Sequence, residues 1–466
     1  MANKIVGGGG VGFSAIESHS LYAFWYADVC RTTWAAATQP RPDGSKFRAE
    51  IIFSSHQQQA ALPVAERLGA ELFFFNTYPM TPTKAFRHPY CTFVDGRDSP
   101  ETPIVNQLTY WAYDNATHLC IAQVMGDFRQ ALGLRRSNAG YRTTFQELIM
   151  KMRLPCFCVW SPSLLPKPDD WHENIVVCGN VDRTGGLPPL PADLVDFCRA
   201  GQAPVFFGFG PGSMSREDLA QRAWDSALAC IRNLQCRAIL HVTPEFRHCI
   251  SSVPDGAFLL DRPVPHSSLF ELCSIAVHHG GPGTLAAALR AGIPNCIVSF
   301  VCDNPFWGDR LQNLNVGSHV PSRAVNGDRL TELVRRLYAP DVKAACRTMQ
   351  KSMLREEEGT EVLVRELYRR LPASGPVSVD WATRVQSSGA RGSALSMKNV
   401  LCLLLLLLAQ AAWRILADAL RLPAIGALLV CVALMQYYDK NVLAPTVSSV
   451  KALSPVPCVG FDKTKT

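Results

Sequence analysis

Val277-His278-His279-Gly280-Gly281-Pro282-Gly283-Thr284, running into Leu285-Ala286-Ala287-Ala288-Leu289, is the stretch whose reading decides the fold. Ser274 to Val277 has the apolar content of a buried strand. The glycines that follow form a turn, and the alanine-rich run opens a helix. A strand, a glycine turn and a helix in that order make an anion site. Glycine lets backbone N–H groups approach a phosphate closely, and the helix N-terminus adds roughly half a positive charge. His279 and Thr284 bring side-chain donors to the same place. Glycines alone often only turn the chain, but the histidines, the threonine and the helix start together favour a phosphate cradle.

Working outward, short apolar runs alternate with helical patterns on both sides. Upstream of the cradle, Pro204 to Gly210, Arg237 to Val242 and Ala257 to Leu260 read as strands, with a helix from Arg216 to Asn233. Downstream, Asn295 to Phe300 is a strand, Asp328 to Tyr338 a helix, and Asp341 to Leu371 one charged helix. Nearer the start, Glu50 to Phe53 and Glu71 to Phe75 are strands and Ala60 to Leu68 a helix. A Pro/Thr/His-rich loop from Tyr78 to Tyr90 then precedes a long helix, Thr102 to Leu132. That rhythm predicts βα units and parallel sheets, hence two doubly wound α/β domains with ligand in the cleft at the strands' carboxyl ends. Pro155 to Leu190, rich in proline and aspartate, reads as a bridge between them.

The 466 residues leave room for further segments. The stretch 373–397 is Ser/Gly/Ala/Pro-rich and reads as a linker. Val400 to Trp413 and Leu422 to Tyr438 are apolar runs that suggest one membrane span or a re-entrant pair, with Tyr437 and Tyr438 at an aromatic belt. The expected organisation is therefore 1–154, an N-terminal domain; 155–372, a C-terminal domain; 373–397, linker; 398–440, hydrophobic membrane segment; and 441–466, a tail.

Composition narrows the partners. The net charge is +7 and no Lys/Arg block follows a nucleic-acid backbone, which excludes nucleic acid as a partner. The 17 cysteines are scattered in apolar runs without zinc-type CxxC pairs, as expected of buried free thiols in a reducing setting. No secretory signal opens the chain, so the globular part is expected in the cytosol, associated with a membrane through the apolar runs. Asn115-Ala116-Thr117 is then a chance sequon.

After the cradle helix comes Cys302-Asp303-Asn304-Pro305-Phe306-Trp307-Gly308-Asp309-Arg310. A carboxylate beside an amide at a strand end clamps vicinal hydroxyls, since the acid accepts two hydrogen bonds while the amide donates and accepts. By itself Asp-Asn-Pro is an Asx turn; following a diphosphate cradle in the same sheet, it points to a sugar.

These residues resemble a known family. His278-His279-Gly280-Gly281-x-Gly283-Thr284, Ala291-Gly292-x-Pro294 and Asp303-x-Pro305-Phe306-Trp307-Gly308-Asp309-Arg310 are similar to the donor-site signature of sterol 3-beta-glucosyltransferases, which have the GT-B fold. Thr81-Pro82-Thr83-Lys84-Ala85-Phe86-x-His88-Pro89, Ser161-Pro162-Ser163, Gly212-Ser213-Met214 and Val264-Pro265-His266 match in order, so the resemblance spans about residues 50–372. It implies two Rossmann-like domains facing a cleft. It also implies inverting, metal-independent transfer of a hexose, glucose foremost, from a UDP-sugar to a sterol or similar lipid hydroxyl. No cofactor is implied beyond the UDP-sugar as co-substrate. By this resemblance His279, Gly281, Gly283, Thr284 and Ser213 hold the diphosphate, Val264 and His266 border the uracil, and Asp303 and Asn304 bind the sugar. Thr81, Thr83 and His88 lie on the acceptor side.

The family's Gly-[Ser/Thr]-Arg-Gly-Asp loop is missing, and only ~50 residues precede Glu50, room for one or two βα units, so the N-terminal domain reads as truncated. The catalytic base is accordingly unassigned, with His19, Asp28, His56 and His88 available. A catalytically degenerate, membrane-tethered homologue that binds nucleotide sugar or lipid is the alternative. Lys4-Ile5-Val6 with Gly7, Gly9 and Gly12 formally fits a dinucleotide fingerprint, a remote alternative as an NAD(P)-binding oxidoreductase, but no acid-ended second strand follows at ~20 residues.

Overall fold

The structure is a computed structural model and describes residues 15–91, 103–135, 145–181, 187–210, 216–371, 378–381 and 383–384. The first sheet comprises β1 (Ile51–Ser55), β2 (Glu71–Asn76), β3 (Cys156–Cys158) and β4 (Ile175–Val177), parallel and in that spatial order. Helices α1 (Ala15–Thr38), α2 (Ala61–Leu68), α3 (Pro103–Ala131) and α4 (Phe145–Lys151) accompany it. The second half runs α5 (Ala192–Arg199), β5 (Val205–Gly208), α6 (Glu217–Leu234), β6 (Ala238–His241), β7 (Ala257–Leu260), α7 (His266–Phe270), β8 (Ile275–His278), α8 (Pro282–Arg290), β9 (Asn295–Ser299), α9 (Asn304–Asn313), β10 (Gly317–Pro321), α10 (Gly327–Leu337), α11 (Pro340–Met353) and α12 (Gly359–Arg370).

The second sheet has six parallel strands in the order β10-β9-β8-β5-β6-β7. Its central strands show no alternation: Val205, Phe206, Phe207, Ile275, Ala276 and Val277 are all fully buried, because helices cover both faces. Truncating one such side chain to alanine costs about 2–5 kcal/mol. The order reverses between β5 and β8, which are paired with Gly208 opposite His278. Loops leaving two adjacent strands in opposite senses open a crevice at that switch point. The glycine turn after β8 stands at its mouth.

Three expectations change. The first sheet reaches beyond residue 154, because Cys156–Cys158 pairs with β2 and Ile175–Val177 with β3. The passage between sheets therefore falls between Val177 and Val205, and the supposed bridge supplies two strands, each only three residues long. The charged helix over Asp341 to Leu371 is two helices. Glu358 caps the second by accepting from the N–H groups of Thr360 and Glu361. That second helix returns to the first sheet, where Val362, Leu363 and Leu367 pack on Phe73, Phe157 and Cys178.

The return is fixed further along, where Trp381 donates to the Ala70 carbonyl at 3.1 Å and Val379 N–H to that of Gly69 at 2.8 Å. Gly69 closes α2 at φ +64, and a Cβ there would sit 2.5 Å from Ser378 Oγ, so both conformation and close approach call for glycine. Ahead of β1, α1 packs Tyr26 and Cys30 against Ile121 and Met125 of α3. The segment expected over 398–440 and the glycine run near Lys4 lie outside the described residues. Among the described residues no helix is long and apolar enough to cross a membrane.

Candidate active site

The two histidines of the cradle do different work. His278, the last residue of β8, is fully buried; its Nδ1 accepts the Gly280 N–H at 3.1 Å and its Nε2 meets Asn295 Oδ1 at 2.8 Å. Asn295 Oδ1 only accepts, so the proton rests on Nε2 and the ring fixes the turn rather than any ligand. Gly280 takes φ +97 and packs within reach of Asn304, where a Cβ would lie 3.3 Å from the Asn304 Cβ. His279 turns the other way. Its ring needs two glycines: a Cβ on Gly281 would stand 2.4 Å from its Nε2, and one on Gly210 (φ +67) 2.9 Å from its Cε1.

Burial holds His279 down to about 4, against an opposing hydrogen bond with the Gly208 backbone, and its Nδ1 has no partner in the protein. At neutral pH it is an uncharged imidazole with hydrogen-bonding capacity to spare. Gly281 precedes α8 and no side chain caps that helix, while Pro282 takes the position where a missing N–H costs nothing. The N–H groups of Gly283 and Thr284 are thus free of intrahelical partners. A Cβ on Gly283 would meet nothing within 4 Å, so space lies open there.

A second pair of rings borders the cradle. His266, at the start of α7, has Nδ1 3.4 Å from Thr284 Oγ1 and Nε2 3.4 Å from His241 Nδ1, with its ring stacked on Phe270. Burial, then His241 and His279, lower His266 to about 4; burial also lowers His241. His241 escaped the sequence reading because it ends a different strand, and only the sheet brings it to His266. Val264 is half-buried against the neighbouring core, and Ser213 lies outside the described residues.

Asp303 is buried and accepts from Trp307 Nε1 at 3.0 Å. Burial raises its carboxyl to about 6, partly offset by hydrogen bonds from its own backbone and from Trp307. Asn304, expected to bind sugar beside it, is buried; with its amide turned so that the nitrogen faces the carbonyls of Val301 and His279, at 3.0 and 3.3 Å, it donates to both. In that orientation it ties the loop of Asp303 to the glycine turn.

Across the cleft, the Thr/His loop is partly satisfied by its own fold. Thr83 Oγ1 donates to Asp170 at 2.6 Å, and the same carboxylate accepts the Lys84 N–H at 2.8 Å. Thr81 is buried with its hydroxyl unpartnered. His88 lies flat on Tyr113 at 3.9 Å, its Nδ1 accepting the Tyr90 N–H; burial, then Arg87, lower it to about 3. His56 is equally buried, bonded to Asn76 and lowered by burial to about 3. Asp28 is exposed and paired with Arg31, and the side chain of His19 lies outside the described residues. More prominent is a pair that spacing did not signal. Tyr78 and Tyr90 stack at 5.3 Å, Tyr90 donates to Tyr78 at 2.8 Å, and Gln57 donates to Tyr90 at 2.7 Å. Burial raises both phenols, and Cys302 and Asp303 are close enough to add to the rise at Tyr78.

Residues 225–368 match the family described as the C-terminal domain of erythromycin biosynthesis protein CIII-like proteins. Two sterol 3-beta-glucosyltransferases of Arabidopsis thaliana are similar to the chain. One is 30% identical over 351 residues, 74% of this chain and 53% of the relative. The other is 31% identical over 336 residues, 72% and 52% respectively. The chain thus spans about half the length of these relatives. The crystal structure of the kitacinnamycin glycotransferase superposes with a TM-score of 0.52 at 18% identity, covering 77% of this chain and 84% of that one. The fold is the GT-B α/β fold of glycosyltransferases, and the chain is homologous to sterol 3-beta-glucosyltransferases.

Proposed function

We propose that this protein transfers a hexose, glucose foremost, from a UDP-sugar to the hydroxyl of a sterol or similar lipid, with inversion and without a metal. The observation that carries the reading is the uncapped start of α8 at the switch point, with the unpartnered His279 and the buried Asp303 beside it. The diphosphate lies on the N–H groups of Gly283 and Thr284 and on His279; His266 and Val264 border the base; Asp303 accepts from sugar hydroxyls. The acceptor oxygen attacks the anomeric carbon as its proton passes to a base, and the bond to the diphosphate breaks with its electrons leaving on UDP. The helix terminus and His279 stand ready where that negative charge grows, so little reorganisation is needed. An incoming dianion also pulls the imidazole upward, making it a cationic donor when charge is greatest.

One observation favours a second reading. His56 and His88 are buried and lowered to about 3, so each is a weak proton acceptor even though its Nε2 has no partner in the protein. A homologue that binds nucleotide sugar without turnover fits that. Transfer of labelled glucose from UDP-glucose to cholesterol or ergosterol separates the two. Formation of a β-linked steryl glucoside supports transfer; UDP binding without product supports binding alone.

A further inference from the structure

Helix α9 begins beside Asp303, yet its middle faces the other domain. Asp309 Oδ2 accepts from Arg87 Nη2 at 2.7 Å across the cleft, and Oδ1 is met by His319 Nδ1 at 2.8 Å. A carboxylate only accepts, so Nδ1 carries the proton; in the neutral ring Nε2 then accepts the Ser299 hydroxyl at 2.8 Å. Ser299 is the last residue of β9 and the root of the loop that carries Asp303. Gly308 makes the arrangement possible, since a Cβ there would stand 2.6 Å from the His319 ring. At the other end, Arg87 sits between Phe86, which packs edge-on against Phe306 at 5.7 Å, and His88 in the acceptor loop. The next residue of α9, Arg310, donates to the Leu164 carbonyl at 2.8 Å. Arg87, His319 and Ser299 are all nearly or fully buried, while Asp309 between them is 26% exposed, so its contacts are partly sheltered from water and salt.

We propose that Asp309 is a positioning residue: through Arg87 and His319 it locks the sugar-binding end of α9 to the acceptor loop and fixes the closure of the cleft. It touches no substrate; it sets where Asp303 stands relative to the acceptor half. The inference rests on the transfer reading above. In D309N the neutral amide can still meet His319 but no longer holds the guanidinium. The expected result is a fall in kcat of at least tenfold with the Kd for UDP, whose cradle lies within one domain, changed less than twofold.

R87Q gives the same split, and R87Q/D309N is no worse than the worse single variant, because both break one link. If D309N does not fold, R87K serves, retaining charge without the guanidinium fork and losing an intermediate amount. Unchanged kcat in either variant, additive losses, or UDP affinity falling in step with kcat overturns the inference. Should the wild type transfer no sugar, hydrogen exchange separates the two ideas. Faster exchange in both 81–91 and 303–313 of D309N, without ligand, keeps the lock and overturns only the transfer reading. Unchanged exchange there overturns the lock.

Discussion

The two halves of the cleft place similar polar residues in different settings. On the donor side α8 starts without a capping side chain, His279 Nδ1 has no partner, and burial raises the Asp303 carboxyl to about 6 although it accepts from Trp307. On the acceptor side several are tied to the protein through one atom, Thr83 to Asp170, His88 Nδ1 to the Tyr90 N–H and His56 Nδ1 to Asn76, while Nε2 of both rings and the Thr81 hydroxyl have no partner in the protein. Open polar groups held in a rigid frame cost stability and serve a ligand; satisfied ones serve the fold. The motif letters alone do not separate these settings.

The largest expected effect is on the donor side. Replacing His279 with alanine removes a donor at the point of charge development and should lower kcat by about 10²–10³. Product formation as fast as in the wild type would break the contrast. Next, D303N should show opposite changes in function and stability. The folded carboxyl titrates near 6 and the ordinary value is 3.8, so its ionised form costs the fold stability above about pH 6, a cost absent below about 4. D303N should therefore raise Tm at pH 7.5, reflecting roughly 2–3 kcal/mol, leave it unchanged at pH 4, and lose transfer. Thermal melts at the two pH values test this.

Third, UDP binding should take up protons. His279 and His266 stand near 4 when the site is empty, and a diphosphate raises them. Affinity should then strengthen as pH falls from 8 to 6, and titration calorimetry in buffers of different ionisation enthalpy should register the uptake. A pH-independent Kd with no proton linkage would mean that neither ring meets the anion. The smallest effect belongs to the acceptor side. T83A breaks the bond to Asp170 and should cost about 1–2 kcal/mol of stability, while UDP affinity stays within twofold.

How much of this was legible in the sequence divides along the same line. The strand, turn and helix start of the cradle were readable because they are contiguous in the sequence. Gly281 and Gly283 differ only in what surrounds them, yet both stood out as glycines in the right places. The short strands Cys156–Cys158 and Ile175–Val177 were hidden among prolines and aspartates, since three residues are too few for periodicity and only pairing with β2 makes them a sheet. The approach of Asn304 to the glycine turn could not be foreseen, because only the sheet brings the two loops together. Likewise Arg87 and Asp309 are 222 positions apart, and no spacing rule connects them.

The most direct test of the central claim uses Gly283. A side chain there meets nothing in the protein within 4 Å, so Gly283→Leu should fill the proposed phosphate space without disturbing the fold. Calorimetric titration with UDP should then show affinity lost at least a hundredfold, with Tm within about 2 °C of wild type. If the folded variant binds UDP as tightly as the wild type, the diphosphate does not lie on the start of α8 and the account fails.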